Sequence, residues 1–227
     1  MFNTQGFLKS LSGSGRRIMF YPSAGNRHGW IIGSPRFDYD LYIFGDYRSR
    51  NFGGRIGFWR RFLKSAAPLK ITMIAATPIS RVFRFGEKIG IYFFLENMET
   101  LDRIRRSGHK IDCFIGYICG CGGEGGGTYC TGRAPYLAGV LQLIPKDGTM
   151  RYVSDHGMMF SEGGWGHPDD MPVKYRFGES IYEFTCLSDK VPGLNRAHEF
   201  KVQRKSQTHI LRYTEEKFES NTPRRRC

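Results

Sequence analysis

Residues 17–26, RIMFYPSAGN, decide the fold that we predict for this chain. The apolar part, Ile18–Tyr21, indicates a short buried strand, and residues 22–25 (PSAG) predict a tight turn of small residues. Asn26 then stands where a helix can begin. A strand, a small-residue turn and a helix start, in this order, are typical of the opening of an α/β nucleotide site.

A second apolar run, residues 39–44 (YDLYIF), predicts the next strand, which is followed by Gly45 and Asp46. Between the two strands, residues 26–32 predict one irregular helical turn that the group 33–35 (GSP) ends. A carboxylate at the tip of a second strand can accept hydrogen bonds from the hydroxyls of a ribose. The two strands therefore predict a Rossmann-like sheet that carries an adenosine-type ligand.

The rest of the chain extends this sheet. Residues 70–77 (KITMIAAT) are nearly all apolar and predict a third strand covered on both faces. Residues 82–95, with a turn at 86–88, indicate a β-hairpin, and residues 98–107 predict a helix with Asn97 as N-cap and Gly108 as its end. Further strands are predicted at 110–118 and 150–154, with a helix between them from about Pro135 to residue 144.

The pattern changes after residue 157, where strands at 173–177, 180–187 and 199–204 lack long helices between them and predict antiparallel pairing. The predicted fold class is α/β, a Rossmann-like three-layer mixed sheet with an inserted β-hairpin and antiparallel C-terminal strands. We expect a single domain over residues 17–213, a flexible N-terminal arm at 1–16 and a basic flexible tail at 214–227.

Composition limits the function classes. The 227 residues, 40% of them hydrophobic, suffice for one core. The net charge of +13 favours polyanions such as nucleic acid, although a basic surface can also serve solubility. No apolar run approaches the roughly 20 residues of a membrane span, and no secretory signal is evident. We therefore expect a cytoplasmic protein, without a membrane partner, whose six cysteines are reduced.

Four loops follow predicted strands and are candidates for a ligand site: residues 22–26, 46–47, 119–130 (CGCGGEGGGTYC) and 155–165. We expect them to gather at one edge, because ligands of open α/β sheets bind beyond the carboxyl ends of the strands. Glu124, among five glycines, and Asp155, at a strand end, are candidates for general acid–base work. A flexible surface connection with a solvated glutamate is the alternative reading of the glycine-rich loop.

A zinc site is the less favoured reading of the cysteines at 119, 121 and 130. Structural zinc sites normally use a C-x2-C spacing, whereas this loop has C-x-C and no second pair follows. We expect free thiols and no metal.

The stretches RIMFYPSAGN and DLYIFGDY resemble class I S-adenosylmethionine-dependent methyltransferases and their degenerate relatives. The resemblance implies that Ser23, Ala24, Gly25 and Asn26 pass under the cofactor, S-adenosylmethionine, and that Asp46 binds its ribose. It also implies methyl transfer to an unknown acceptor, with Glu124 or Asp155 facing that acceptor. This chain keeps a single glycine of the usual D/E-x-G-x-G motif and lacks the N/D-P-P-Y motif, so a relative with a lost or altered cofactor site stays an alternative.

A second hypothesis is a non-enzymatic nucleic-acid-binding or scaffold protein that uses its basic surface, including the run 58–61 (FWRR). Transformation of a nucleotide in the same pocket is a third possibility. The charge alone does not distinguish an enzyme that acts on nucleic acid from a passive binder.

Overall fold

The computed structural model describes residues 2–13, 15–22, 28–45, 63–64, 66–116, 134–154, 174–177, 179–188, 191 and 198–205. The chain divides into two compact units, Met1–Ile111 (unit 1) and Asp112–Cys227 (unit 2). The domain limits predicted from the sequence stay predictions.

The elements of unit 1 whose bounds lie within the described residues are three helices, five strands and two short 3-10 turns. In chain order they are α1 (Thr4–Ser10), β1 (Ile18–Tyr21), α2 (His28–Gly33), the turn Pro35–Phe37, β2 (Leu41–Phe44), the turn Ala67–Leu69, β3 (Thr72–Ala76), β4 (Ser80–Phe85), β5 (Lys88–Phe93) and α3 (Asn97–Ser107).

The strands of unit 1 lie in the order β3-β4-β5-β2-β1. β1 and β2 are parallel, from Ile18 opposite Leu41 to Tyr21 opposite Phe44, and every residue of both is buried. β2 is also parallel to β5, whereas β3, β4 and β5 pair antiparallel. Strands covered on both faces read as continuous apolar runs, which is why β1 and the end of β2 could be predicted.

The predicted hairpin is confirmed as β4 and β5, which turn at Gly86 with a positive φ of 58°. The helix predicted after it is also confirmed, and it ends at Gly108 in the left-handed conformation with φ 77°. The N-cap prediction was wrong. Asn97 is the first helical residue and fully buried, and Glu96 occupies the cap position without a side-chain cap bond.

Helix α1 packs against α3 within the segment expected to be a flexible arm, and the sequence analysis assigned no helix there. Leu8 is fully buried, and its carbonyl lies 2.8 Å from Nε2 of the buried His109. The buried hydroxyls of Thr4 and Ser80 share a hydrogen bond of 2.7 Å. These contacts join α1 to the start of β4, through Ser80, and to the residues just after α3, through His109.

The prediction that the third strand is covered on both faces was wrong. Within the described part of unit 1, β3 pairs with β4 alone, and Met73 and Ile74 are about two-fifths exposed, at 41% and 40%. A bulge displaces the register between Met73 and Ala75. An apolar run has the same appearance in a covered strand and in an edge strand, so periodicity could not separate the two.

Unit 2 contains β6 (Cys113–Gly116), α4 (Ala134–Leu141), β7 (Thr149–Ser154), β8 (Lys174–Phe177), β9 (Ser180–Ser188) and β10 (His198–Lys205). The strand order is β6-β7-β10-β9-β8. β6 and β7 are parallel, with α4 between them in the chain, and the other pairs are antiparallel, as predicted for the C-terminal strands.

Stacked aromatic rings fill the core of unit 2. The ring of Tyr152 lies 5.6 Å from that of Phe114 and 6.0 Å from that of Phe200, so one ring contacts its neighbours on both adjacent strands. Tyr136 of α4 joins this stack at 6.2 Å from Phe114. Burial raises the pKa of the Tyr136 phenol well above its usual value. Helix α4 therefore packs against the aromatic core of unit 2 through Tyr136.

The predicted class, Rossmann-like α/β with mixed strand pairing, an inserted hairpin and antiparallel C-terminal strands, is confirmed. Among the described helices, none has the length and apolar character needed to span a bilayer. Cys113 is buried and not disulfide-bonded, as predicted. The prediction of reduced thiols was wrong for Cys186, which is disulfide-bonded, because chain spacing does not reveal which sulfur atoms meet.

Candidate functional site

The carboxyl ends of β1 and β2 touch through their backbones. The Gly45 amide donates to the Tyr21 carbonyl oxygen at 3.1 Å. A Cβ atom placed on Gly45 would come within 2.6 Å of the Pro22 carbonyl oxygen, closer than real Cβ atoms approach, so this position requires glycine. The loops that follow Pro22 and Gly45 therefore leave from one place, as a shared ligand site requires.

Gly45 is a residue whose role the sequence analysis missed. Asp46 was predicted as a site residue, whereas Gly45 was predicted only to end the strand. The signal was a glycine immediately before an acidic residue at a strand end, which indicates close backbone approach. The close contact with Pro22 gives that signal its physical reason.

A third parallel strand ends at the same edge of unit 1. Tyr92 of β5 lies opposite Phe44 of β2, so β5 ends beside β2. Glu96, half-buried, and Asn97, fully buried, follow at the start of α3. The Thr100 amide donates to the Glu96 carbonyl at 3.0 Å and fixes this turn. We refer to the ends of β1, β2 and β5 as the carboxyl edge of unit 1.

Glu96 and Asn97 were not predicted to lie at a site, because residues 70–77 were predicted to form the third strand of the core. The structure gives that position to β5, so the polar residues at the edge come from the hairpin. The signal in the sequence was the polar pair Glu96 and Asn97 directly after an apolar run, which is typical of a site at a strand end.

Aromatic side chains form the rigid base of this edge. The rings of Phe44 and Tyr92 lie 6.1 Å apart, and those of Tyr92 and Phe94 lie 5.4 Å apart. The Arg81 guanidinium lies over Phe94, 5.1 Å from the ring centroid, and donates to the Ser80 carbonyl at 3.1 Å. Such packed rings hold the backbone ends of β2 and β5 in place.

Every site residue that the sequence predicts lies outside the described residues: Ser23, Ala24, Gly25, Asn26, Asp46, Glu124 and Asp155. Chain connectivity still relates them to described atoms. Ser23 directly follows Pro22, and Asp46 directly follows Gly45, at the carboxyl edge of unit 1.

Glu124 and Asp155 belong to unit 2, where β6 and β7 are parallel with Gly116 opposite Ser154. The loops after these two strands therefore begin at a common edge of that unit. Asp155 directly follows Ser154, whereas Glu124 lies further along its loop.

A cation site is not evident in the described part of the chain, where no group of three or more His, Cys, Asp and Glu side chains could hold a metal. The cysteines at 119, 121 and 130 lie outside that part.

Comparison with known proteins gives no family. No family model matches the chain, and no curated protein matches it. Among solved structures, the chain is similar to a complex of Trm1 from Pyrococcus horikoshii with S-adenosyl-L-methionine, with a TM-score of 0.49 and 10% identity over 96% of this chain. It is also similar to a putative SAM-dependent methyltransferase from Streptococcus mutans, with a TM-score of 0.39 and 8% identity over 88% of this chain.

The matches span 59% of the Pyrococcus chain and 47% of the Streptococcus chain. The class that the strand pairing itself defines is a Rossmann-like α/β protein.

Proposed function

We propose that this chain is a methyltransferase-like protein that binds S-adenosylmethionine, or a related nucleoside, at the carboxyl edge of unit 1. The observation that carries the proposal is the contact of Gly45 with the Pro22 backbone, which brings the loops after β1 and β2 to one point. Adenosine-type ligands bind where such loops meet beyond the ends of parallel strands.

The small residues Ser23, Ala24, Gly25 and Asn26 would lie beneath the ligand, because small side chains let backbone N–H groups come close to it. Asp46 would accept hydrogen bonds from the ribose hydroxyls, and a carboxylate is well suited because it is an acceptor only. Glu96 and Asn97, at the end of β5, would bound the same site from the third strand.

When bound, S-adenosylmethionine supplies a methyl group carried on a positively charged sulfur. For transfer, this chain must expose a lone pair on the acceptor and take up the proton that the acceptor loses. Glu124 and Asp155 are the candidates for this base. Replacement of each by its amide tests the role, since the amide keeps the shape of the side chain but cannot take the proton.

Isothermal titration of the full chain with S-adenosylmethionine and with S-adenosylhomocysteine tests the binding proposal. We expect saturable heat with a Kd of about 1–100 µM for at least one of the two ligands, with no comparable heat from NAD. Absence of heat from both ligands, together with no cofactor retained on purification, would reject the proposal.

A substitution of Asp46 tests the mode of binding. Asp46→Ala should weaken binding by about tenfold, because the ribose hydroxyls lose their charged acceptor. Asp102→Ala is the matched control, since Asp102 is a carboxylate on α3 whose side chain is 40% exposed and pairs with Arg105. Equal affinities in the two variants would show that Asp46 does not hold the ribose.

Glu96→Gln tests the third strand in the same titration. The substitution keeps the size of this half-buried side chain and removes its charge. A change in affinity, with unchanged stability, would place Glu96 at the ligand. An unchanged affinity would restrict the site to the loops after β1 and β2.

A further inference from the structure

β3 (Thr72–Ala76) leaves one side of its backbone open. Within the described part of unit 1, it lies at the end of the strand order and pairs with β4 alone. In that part of the chain, its residues form no backbone hydrogen bond beyond those with β4. An edge strand presents a row of N–H and C=O groups to which a further strand can pair. We refer to residues 72–76 as the β3 edge.

Apolar side chains on the β3 edge are exposed to water. Met73 and Ile74 are each about two-fifths exposed. The bulge leaves Ile74, between Met73 and Ala75, without a residue opposite it on β4. Cross-strand neighbours stabilise the side chains of a sheet, and a strand added beside β3 would provide such a neighbour for Ile74.

The β3 edge carries no side chain of the kind that prevents strands from pairing. Natural edge strands use lysines, inward charges or prolines for this purpose. Residues 72–76 contain neither a charged side chain nor a proline. The bulge bends the strand, so regular pairing extends over only a few residues. The edge therefore suits a short extended peptide that binds reversibly.

Two cations flank the start of the β3 edge. Lys70 precedes the strand by two residues and is exposed, and the exposed Arg84 lies directly opposite Thr72 on β4. Neither cation forms an ion pair in the described part of the chain. The nearest acid along the chain, Glu87, supplies one negative charge for these two cations. The start of the edge is therefore net positive.

Arg84 can reach a bound partner across Thr72. Residues directly opposite each other on adjacent strands share one face of a sheet, so these two side chains lie on the same face. An added strand would lie two strand spacings from β4, about 10 Å away. The small Thr72 side chain leaves room above β3 for the long side chain of Arg84 to meet a glutamate on the added strand.

We propose that the β3 edge binds an extended acidic peptide of a partner protein, which adds to the sheet as an antiparallel strand. Antiparallel pairing continues the pattern of β3, β4 and β5 and is the more stable kind per residue. The C-terminal end of the added strand then lies beside Thr72, so the acidic residues follow the apolar ones. A second copy of this chain fits less well, because two chains of charge +13 repel each other. The proposal does not depend on a ligand at the carboxyl edge of unit 1.

Fluorescence anisotropy of the full chain with a labelled synthetic peptide tests the proposal. The peptide alternates valine and threonine over five positions, ends in two glutamates and has both termini blocked. We expect saturable binding with a Kd of about 10–100 µM at low salt. The same peptide with lysines in place of the glutamates should bind about tenfold more weakly. Equal binding of the two peptides, or no binding of the acidic one, would overturn the proposal, and tighter binding of a peptide that begins with the glutamates would overturn the antiparallel direction.

Lys70→Gln combined with Arg84→Gln tests the flanking cations. This double variant should bind the acidic peptide about tenfold more weakly, because both charges that meet the glutamates are gone. The matched control replaces Lys110 and Lys146, two exposed lysines elsewhere, by glutamine and changes the net charge equally. The control should bind within about twofold of the unmodified chain. Equal losses in the two double variants would overturn the proposal, since the charge of the whole chain would then cause the attraction.

Ile74→Lys tests the edge itself, because a lysine on an edge strand prevents pairing. This variant should bind the acidic peptide about tenfold more weakly although it adds a positive charge. Leu187→Lys is the matched control, since Leu187 is an exposed apolar residue of unit 2 and the substitution adds the same charge. Equal affinities of the two variants would overturn the proposal.

Hydrogen exchange of the unmodified chain avoids any effect of a variant on folding. Saturating acidic peptide should slow exchange about tenfold at the outward amides of residues 72–76, those not bonded to β4. Unchanged exchange would overturn the proposal. Outward amides that exchange slowly without peptide would also overturn it, because another part of the chain would then cover the edge. Slow exchange that develops only as the chain concentration rises, with a dimer in sedimentation, would overturn it in favour of a second copy.

Discussion

Phe83 lies directly across from Gly90 in the antiparallel pair of β4 and β5, and its ring covers the Cα of that glycine. A Cβ atom on Gly90 would come within 2.1 Å of Cζ of Phe83, and both residues are buried. The ring fills the space that a side chain would take. β5 also pairs with β2, so Gly90 lies on the strand that joins the hairpin to the parallel strands.

Gly90→Ala should therefore destabilise the protein by about 1–3 kcal/mol, the usual cost of overpacking a core. Urea denaturation followed by circular dichroism measures the loss. Phe83→Leu in the same chain removes the obstructing ring atoms, so the double variant should lose less than the sum of the single losses. Strict additivity would show that the ring does not restrict position 90.

Gly45→Ala should cost a similar 1–3 kcal/mol, because the added methyl would meet the Pro22 carbonyl, a backbone atom that cannot rotate away. Gly33→Ala is the control, since a Cβ there meets the end of the Leu69 side chain at 3.2 Å, which can move. Thermal unfolding should separate the two variants. Equal unfolding temperatures for the two variants would show that the Pro22 carbonyl does not exclude a side chain at position 45.

Stability should fall as the pH drops below about 6.5, through the imidazole of His109. Burial lowers the pKa of His109, the nearby Arg16 adds to this lowering, and the hydrogen bond with the Leu8 carbonyl opposes it. The folded protein therefore favours the neutral imidazole. The stability that this contributes is fully present above the pKa of His109 in the unfolded chain, and it is lost as the pH falls towards the lower pKa of the folded protein.

The free energy of unfolding in urea at about pH 7.5 and about pH 5.5 measures this effect. His109→Gln keeps a donor for the Leu8 carbonyl but does not titrate, so the difference between the two pH values should shrink. If the free energy of unfolding of His109→Gln changes with pH as much as that of the unmodified chain, other groups cause the pH dependence.

The ion pair of Arg151 and Glu199 should contribute more than the exposed pair of Arg105 and Asp102. The side chains of the first pair are 19% and 9% exposed, whereas those of the second are 47% and 40% exposed. Glu199→Ala leaves a half-buried guanidinium without its carboxylate and should cost about 3 kcal/mol, whereas Asp102→Ala should cost less than about 1 kcal/mol.

Denaturant titrations at low and high salt measure this contrast, and the Glu199 loss should persist at high salt because the pair is shielded from counterions. A loss of the same size in both variants would mean that burial does not strengthen the inner pair.

Local patterns predicted much of the fold. β1 coincides with its prediction, and the hairpin is present as predicted, because a glycine turn between two apolar runs determines both strands. α1 was missed because its seven residues contain only two buried side chains, so its stability comes from contacts with His109 and Ser80 far along the chain. Such long-range contacts leave no local pattern.

The candidate site was predicted less completely. The predicted site residues after β1 and β2 lie outside the described residues and stay predictions, and the need for glycine at position 45 depends on the carbonyl of Pro22, which follows a different strand. The exchange of β3 for β5 as the third core strand has a similar origin. Both runs are apolar, and only strand pairing shows that β3 lies at the edge of the sheet whereas β5 lies between two other strands.

The exposed residues of β3 have a consequence for handling the protein. TMIAA carries no charge, and an uncharged, apolar border strand is a template for fibril growth when its neighbours loosen. Phe83 holds β4, which pairs with β3, so variants such as Gly90→Ala should also polymerise sooner in shaken, concentrated solution. Added salt should hasten this turbidity, because it screens the repulsion between chains that each carry a charge of +13.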